Sequence, residues 1–131
     1  MKRIILIALA IMVTLSINAQ SEDAPVEETV YDAVEEMPQF PGGPSALFEY
    51  LSKNIHYPIV AEENGVQGRV LVSIIVEKDG SITDVKVEKS VDPSLDKEAQ
   101  RLVKSMPNWI PGKQHDEPVR VKYTVPVTFR L

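Results

Sequence analysis

The chain has 131 residues, 44% of them hydrophobic, no cysteine and a net charge of -5. That suits one small domain and excludes disulfides, thiol nucleophiles, cysteine-ligated zinc and lipid attachment through an N-terminal cysteine. Residues 20–36 hold seven acids and no Lys or Arg, whereas the twelve acids beyond residue 36 face twelve basic residues; a neutral folded part offers phosphate backbones little attraction, which argues against nucleic acid as a partner.

Lys2 and Arg3 precede an apolar run over residues 4–17 that ends in Asn18-Ala19-Gln20. This is the layout of a secretory signal peptide cut after Ala19. The alternative, an uncleaved membrane anchor, wants about 20 apolar residues. Residues 20–36 are acidic, contain Pro25 and lack any apolar period, so they are expected to form a disordered tether ahead of a domain over residues 37–131.

Met37 to Ser45 reads MPQFPGGPS, which excludes regular structure until Pro44 opens a helix over 44–54, with Leu47, Phe48, Tyr50, Leu51 and Ile55 as its apolar residues. Tyr57-Pro58 restarts the chain into a short helix that ends at Asn64, with Gly65 as its cap and Gly68 opening the next element. Residues 69–77 alternate Val70, Val72, Ile74 and Val76 with Leu71, Ser73 and Ile75, the pattern of a strand. Asp79-Gly80 is a tight hairpin turn, so a second strand returns antiparallel. Its apolar parity changes between Ile82 and Val85, and a β-bulge near Thr83 or Asp84 would reconcile the two.

Asp92 and Pro93 then start a helix with Leu95, Ala99, Leu102, Val103 and Met106 on one face, and Pro107 stops it. The segment PNWIPGKQHDEP reads as a loop. From Val119 onward Val121, Tyr123, Val125, Val127, Phe129 and Leu131 alternate with polar residues and Pro126, an amphipathic strand of about thirteen residues. The expected fold is two-layer α+β in α-α-β-β-α-β order, a small antiparallel three-stranded sheet packed against helices.

Reactive chemistry is sparse. His56 and His115 lie far apart, and no nucleophile elbow or phosphate-binding glycine loop is present, so no enzyme and no cofactor are expected. His115-Asp116-Glu117 reads as a solvated loop more readily than as a metal site. Trp109 reads as the anchor of its loop more readily than as a ligand platform.

Pro126 lacks an N–H and so marks the last strand as an edge, with the backbone groups of its even residues facing outward. Such an edge accepts an added strand from a partner; alternatively Pro126, Arg120, Lys122 and Arg130 guard it against pairing.

Tyr57-Pro58, Gly65-Val66-Gln67-Gly68, Asp79-Gly80, Leu95-Asp96, Trp109-Ile110-Pro111-Gly112 and the closing VRVKYTVPVTFRL, in this order, resemble the TonB C-terminal domain family over about residues 50–131. The FPGG segment at Phe40 to Gly43 resembles a lead-in found before some such domains. The resemblance implies a periplasmic module that pairs its last strand with the TonB box of outer-membrane TonB-dependent transporters. By position that pairing falls on Val119, Arg120, Val121, Lys122, Tyr123, Thr124 and Val125. Some members carry Gln-Pro before the Tyr-Pro and use that region on the receptor; Asn54, Ile55, His56 and Tyr57 stand there here. The remaining shared positions, Pro58, Gly65, Gly68, Asp79, Gly80, Trp109, Pro111 and Gly112, are structural. Energy-transducing members have a membrane anchor that contacts ExbB and ExbD, partners expected here only if the N-terminal segment stays uncleaved. The alternative to receptor binding is a structural or cell-wall-associated module whose edge makes homodimers.

Overall fold

The computed structural model describes residues 29–131; the expected signal peptide and the acidic stretch up to residue 28 lie outside the described residues. The elements are β1 (Val30–Tyr31), α1 (Pro44–Asn54), α2 (Ile59–Glu63), β2 (Gly68–Val76), β3 (Ile82–Lys89), α3 (Pro93–Lys104), β4 (Gly112–Gln114) and β5 (Glu117–Phe129). The expected antiparallel sheet is present in the spatial order β5-β2-β3, and two short strands join it: β1 runs parallel to β5, and β4 forms a hairpin with it.

Alternation decides which face each strand buries. Val70, Val72, Ile74 and Val76 of β2 and Val125, Val127 and Phe129 of β5 are fully enclosed and share one core with Leu95, Ala99, Leu102 and Val103 of α3, while Val121 is buried further along β5. Each such side chain contributes about 1.5–3 kcal/mol of transfer free energy, enough to hold one helix layer on one sheet face. Asp92 caps α3 by accepting from the Ser94 N–H at 3.0 Å, and Pro93 follows in the first turn. Pro58 caps α2, standing just outside its first turn.

The parity change in β3 is a bulge. Ser73 pairs with Lys86 but Ile75 pairs with Thr83, so one residue is inserted, and Asp84 sits there at φ 52°. The insertion turns Val85 and Val87 toward the core beside Ile82.

Gly80 sets the β2–β3 turn against the following loop. It adopts φ 90°, its carbonyl accepts from the Trp109 N–H at 2.7 Å, and a Cβ there would lie 2.1 Å from the Trp109 carbonyl oxygen. Asp79 closes the turn by accepting from the Ser81 N–H at 2.9 Å. Trp109 is enclosed as an anchor, edge-on to Phe40 at 5.8 Å and to Tyr123 at 5.1 Å, and its indole N–H has no acceptor among the described residues.

Composition assigns residues 20–36 to a disordered tether, yet the described part of that stretch is bound to the domain. Val30 and Tyr31 pair with Arg120 and Val121, Glu35 bonds to Gln114 and His115, and Glu36 exchanges two backbone bonds with Lys113 at 3.1 and 2.8 Å. Gln39 and Ile110 exchange another two, and Phe40 is buried. The folded unit therefore reaches back at least to Val30.

Candidate functional site

β5 carries the longest ladder of the fold, pairing with β2 without a register break from Val121↔Val76 to Phe129↔Gly68. Pro126 stands opposite Leu71. With no N–H, that pair is a non-hydrogen-bonded one, and because the two pair types alternate, Lys122, Thr124, Pro126 and Thr128 aim their backbone groups away from β2. The same reasoning applies to Pro118 opposite Lys113: Glu117 and Val119 direct their groups at β4, on the side that β2 occupies further along. β4 thus continues the line of β2, and among the described residues β1 alone lies on the outer side.

The seven residues expected to pair with a partner therefore divide. The backbone groups of Val119 face β4, and Arg120 and Val121 are bridged to β1. From Lys122 to Thr128 no strand among the described residues pairs with the outer side of β5. Side chains divide as well: Val121 and Val125 are core, and Tyr123 packs on Trp109.

The cations of β5 lie over the sheet. Arg120 Nε is 2.7 Å from Glu77 Oε1, and Lys122 Nζ is 2.7 Å from Glu88 Oε2 on β3, reaching across β2. The Arg120 guanidinium holds the Glu77 carboxyl below the usual carboxylate range, Lys122 does the same for Glu88, and Glu88 holds the Lys122 amine above its ordinary value. These two side chains are engaged across the solvent face of the sheet, so Pro126 is the feature that interrupts the edge itself.

Asn54, Ile55, His56 and Tyr57 form a separate group beside the other end of β5. Glu98, on α3, organises them. Its carboxylate accepts from the His56 N–H at 2.7 Å and takes two bonds from Arg101 at 2.8 and 2.7 Å, while Arg101 also donates to the Asn54 carbonyl at 3.0 Å. Burial pushes the Glu98 carboxyl up, but Arg101 and the His56 N–H outweigh it and leave it below its ordinary value. Tyr57 donates to the Val66 carbonyl and stands edge-on to Phe129 at 5.6 Å. His56, Tyr57, Pro58 and Ile59 open onto a groove of about 460 Å³ floored by Ser94, Lys97, Glu98 and Arg101. Phe129 is four residues along β5 from Val125, the last residue of the expected pairing stretch, roughly 13 Å at ~3.3 Å per residue, so the two expected contact groups lie near one another.

A cleft between them escaped the sequence reading. Phe48, Leu51, Ser52 and Ile55 of α1 and its C-terminal end border Pro126, Val127 and Thr128. Phe48 is 73% exposed, and of the apolar residues of α1 Leu51 alone is buried. The available signal was that Leu47, Phe48, Tyr50 and Leu51 span more of a helix circumference than one buried stripe needs.

His115-Asp116 is the two-residue turn of the β4–β5 hairpin, at φ 54° and 67°, and among the described residues no group of three His, Cys, Asp or Glu side chains is placed to hold a metal. The other positions expected to be structural act on the backbone: Gly65 turns the chain out of α2, Gly68 and Gly112 begin strands, and Pro111 precedes β4.

Residues 53–131 match the family model described as Gram-negative bacterial TonB protein C-terminal. The chain is 40% identical over 81 residues to Protein TonB of Helicobacter pylori strain J99, and 38% identical over 81 residues to that of strain 26695, covering 61% of this chain and 27% of each relative. It thus spans about a quarter of the length of those relatives. The solution NMR structure of Helicobacter pylori TonB-CTD superposes with a TM-score of 0.51 at 30% identity, over 65% of this chain and 77% of that one.

Proposed function

This chain belongs to the Gram-negative bacterial TonB protein C-terminal family, and from that premise we propose that it is a periplasmic module of transmembrane transport that binds the TonB box of outer-membrane TonB-dependent transporters by strand addition. The observation that carries the reading is the outer side of β5 from Lys122 onward, where alternate backbone groups face away from β2 and no described strand takes them. Lys122 to Val125 form the first part of the added ladder, and the bend at Asn54–Tyr57 is a second contact for the receptor. The module binds and orients; nothing in this role calls for a catalytic group or a cofactor.

Titrating isotope-labelled protein with a synthetic TonB-box peptide tests the role. The Lys122 and Thr124 amides are expected to shift and to gain protection from exchange. Saturating peptide that leaves both unmoved would refute it. Export with cleavage after Ala19 belongs to the same reading and is checked by the intact mass of protein recovered from the periplasm; a retained N-terminus would instead point to an anchor and to ExbB and ExbD as partners.

The same edge supports a second reading, a homodimer formed by two β5 strands. Sedimentation over a range of concentrations separates the two, since this reading requires a mass that rises with concentration and is lost when β5 is altered.

A further inference from the structure

Residues 29–36 are acidic and have no apolar period, yet they follow a defined course. Val30 and Tyr31 lie parallel on the outer side of β5, in register with Arg120 and Val121. The chain then crosses the β4–β5 hairpin, since Glu36 bridges Lys113 on the side of β4 turned away from β5. The crossing is fastened at the hairpin tip: the Glu35 N–H donates to Gln114 Oε1 at 2.9 Å, and the His115 N–H donates to Glu35 Oε1 at 2.9 Å. Gly112 leaves room for it, because a Cβ there would come within 3.0 Å of the Glu36 carbonyl oxygen. Beyond Glu36 the segment is anchored by the Gln39–Ile110 bonds and by buried Phe40.

A strand added along the outer side of β5 meets this segment at Arg120 and Val121. Only two residues of β1 pair there, a contact too short to persist as a free peptide, but its anchorage at Phe40 keeps it at millimolar effective concentration. We infer that residues 29–36 are a built-in competitor: they cap the β5 edge at Arg120 and Val121, and a partner strand longer than the stretch after Val121 must displace them. This rests on the strand-addition reading and assigns to it a form of regulation, in which apparent affinity falls by the fraction of molecules with the strap open. Two paired residues with two tip bonds correspond to a strap closed in roughly nine molecules of ten, so its release is expected to tighten binding about tenfold.

The absence of cysteine allows a direct test. Val30 and Arg120 are registered neighbours on adjacent strands, which at ~4.8 Å spacing suits a disulfide. In the full chain carrying Val30→Cys and Arg120→Cys, a synthetic TonB-box peptide is expected to bind the reduced form and to bind the oxidised form at least tenfold more weakly. Val30→Pro with Tyr31→Pro, which cannot hold the ladder, is expected to bind about tenfold more tightly than the unaltered chain and to exchange its Arg120 amide faster. Equal affinity of oxidised and reduced protein, or unchanged Arg120 exchange in the proline variant, would overturn the competitor while leaving strand addition intact. Peptide that binds none of the forms would instead overturn strand addition, and the competition with it.

Discussion

Replacing Gly80 by alanine probes the contact that docks the β2–β3 turn on the loop behind β5. Two costs are separable. An L-residue in a left-handed conformation, here φ 90°, costs roughly 1–2 kcal/mol. The added Cβ would also lie 2.1 Å from the Trp109 carbonyl oxygen, so turn and loop must part and the 2.7 Å bond from the Trp109 N–H to Gly80 is strained or lost, about 1 kcal/mol more before repacking around Trp109. Gly65→Ala is the control, with φ 67° and nothing within 4 Å of its Cβ, so it carries the conformational cost alone. The expected losses are about 3 kcal/mol or more for Gly80→Ala and about 1–2 kcal/mol for Gly65→Ala, against a total near 5–15 kcal/mol for such a domain. Urea unfolding followed by the fluorescence of Trp109, the chain's single tryptophan, measures both. Equal losses would refute the docking of the turn on Trp109.

Glu98→Gln removes the charge that Arg101 grips and is expected to cost about 1–2 kcal/mol, with the His56 and Tyr57 resonances moving most. Glu98 and Glu77 both have folded values below their ordinary 4.5, so their stabilisation is complete above that pH and is lost as pH falls through the folded values. Thermal melts should therefore be flat from pH 7 to about 5 and drop below about 4.5, and Glu98→Gln should flatten that drop; an unchanged acid slope would count against the pairing. Asp84→Gly is expected to be neutral or stabilising by up to about 1 kcal/mol, and Asp84→Val to cost about 1–2 kcal/mol, because Asp84 holds the bulge at φ 52°; both are read by urea midpoint. Pro126→Ala restores an N–H on the outer side of β5, so peptide binding should tighten or self-association appear while stability stays within about 0.5 kcal/mol, and protein that changes in neither respect would argue that this edge takes no strand.

Legibility in the sequence followed periodicity. The α3 stripe from Leu95 to Met106, the alternation of β5 and the Asp79-Gly80 turn each carry their own local signal, and the parity break between Ile82 and Val85 was enough to locate the bulge at Asp84. Pro126 marked the outer edge, because a missing N–H leaves one backbone pattern open to it. What stayed hidden was structure made by backbone pairing at a distance. Val30 and Tyr31 are two residues in an acidic stretch, and their partners lie ninety positions away. β4 is three residues long, and its turn uses His115-Asp116 without the glycine that announces such turns. The exposure of Phe48 stayed hidden because apolar character gives no sign of which side of a crowded helix face is covered. The expected contact stretch opens at Val119, whose backbone serves β4, and passes through Arg120 and Val121, which pair with β1, before it reaches the part of the edge that no described strand covers.

A photo-crosslinking residue at position 124 in intact cells tests the strand-accepting edge most directly. Thr124 lies in the middle of the part of β5 that no described strand covers on its outer side. Capture of an outer-membrane transporter, with the adduct mapped to its TonB box and abolished by excess TonB-box peptide, is the predicted result. Adducts confined to second copies of this chain, no adduct at all, or the same transporter captured equally from position 104 on α3, would contradict it.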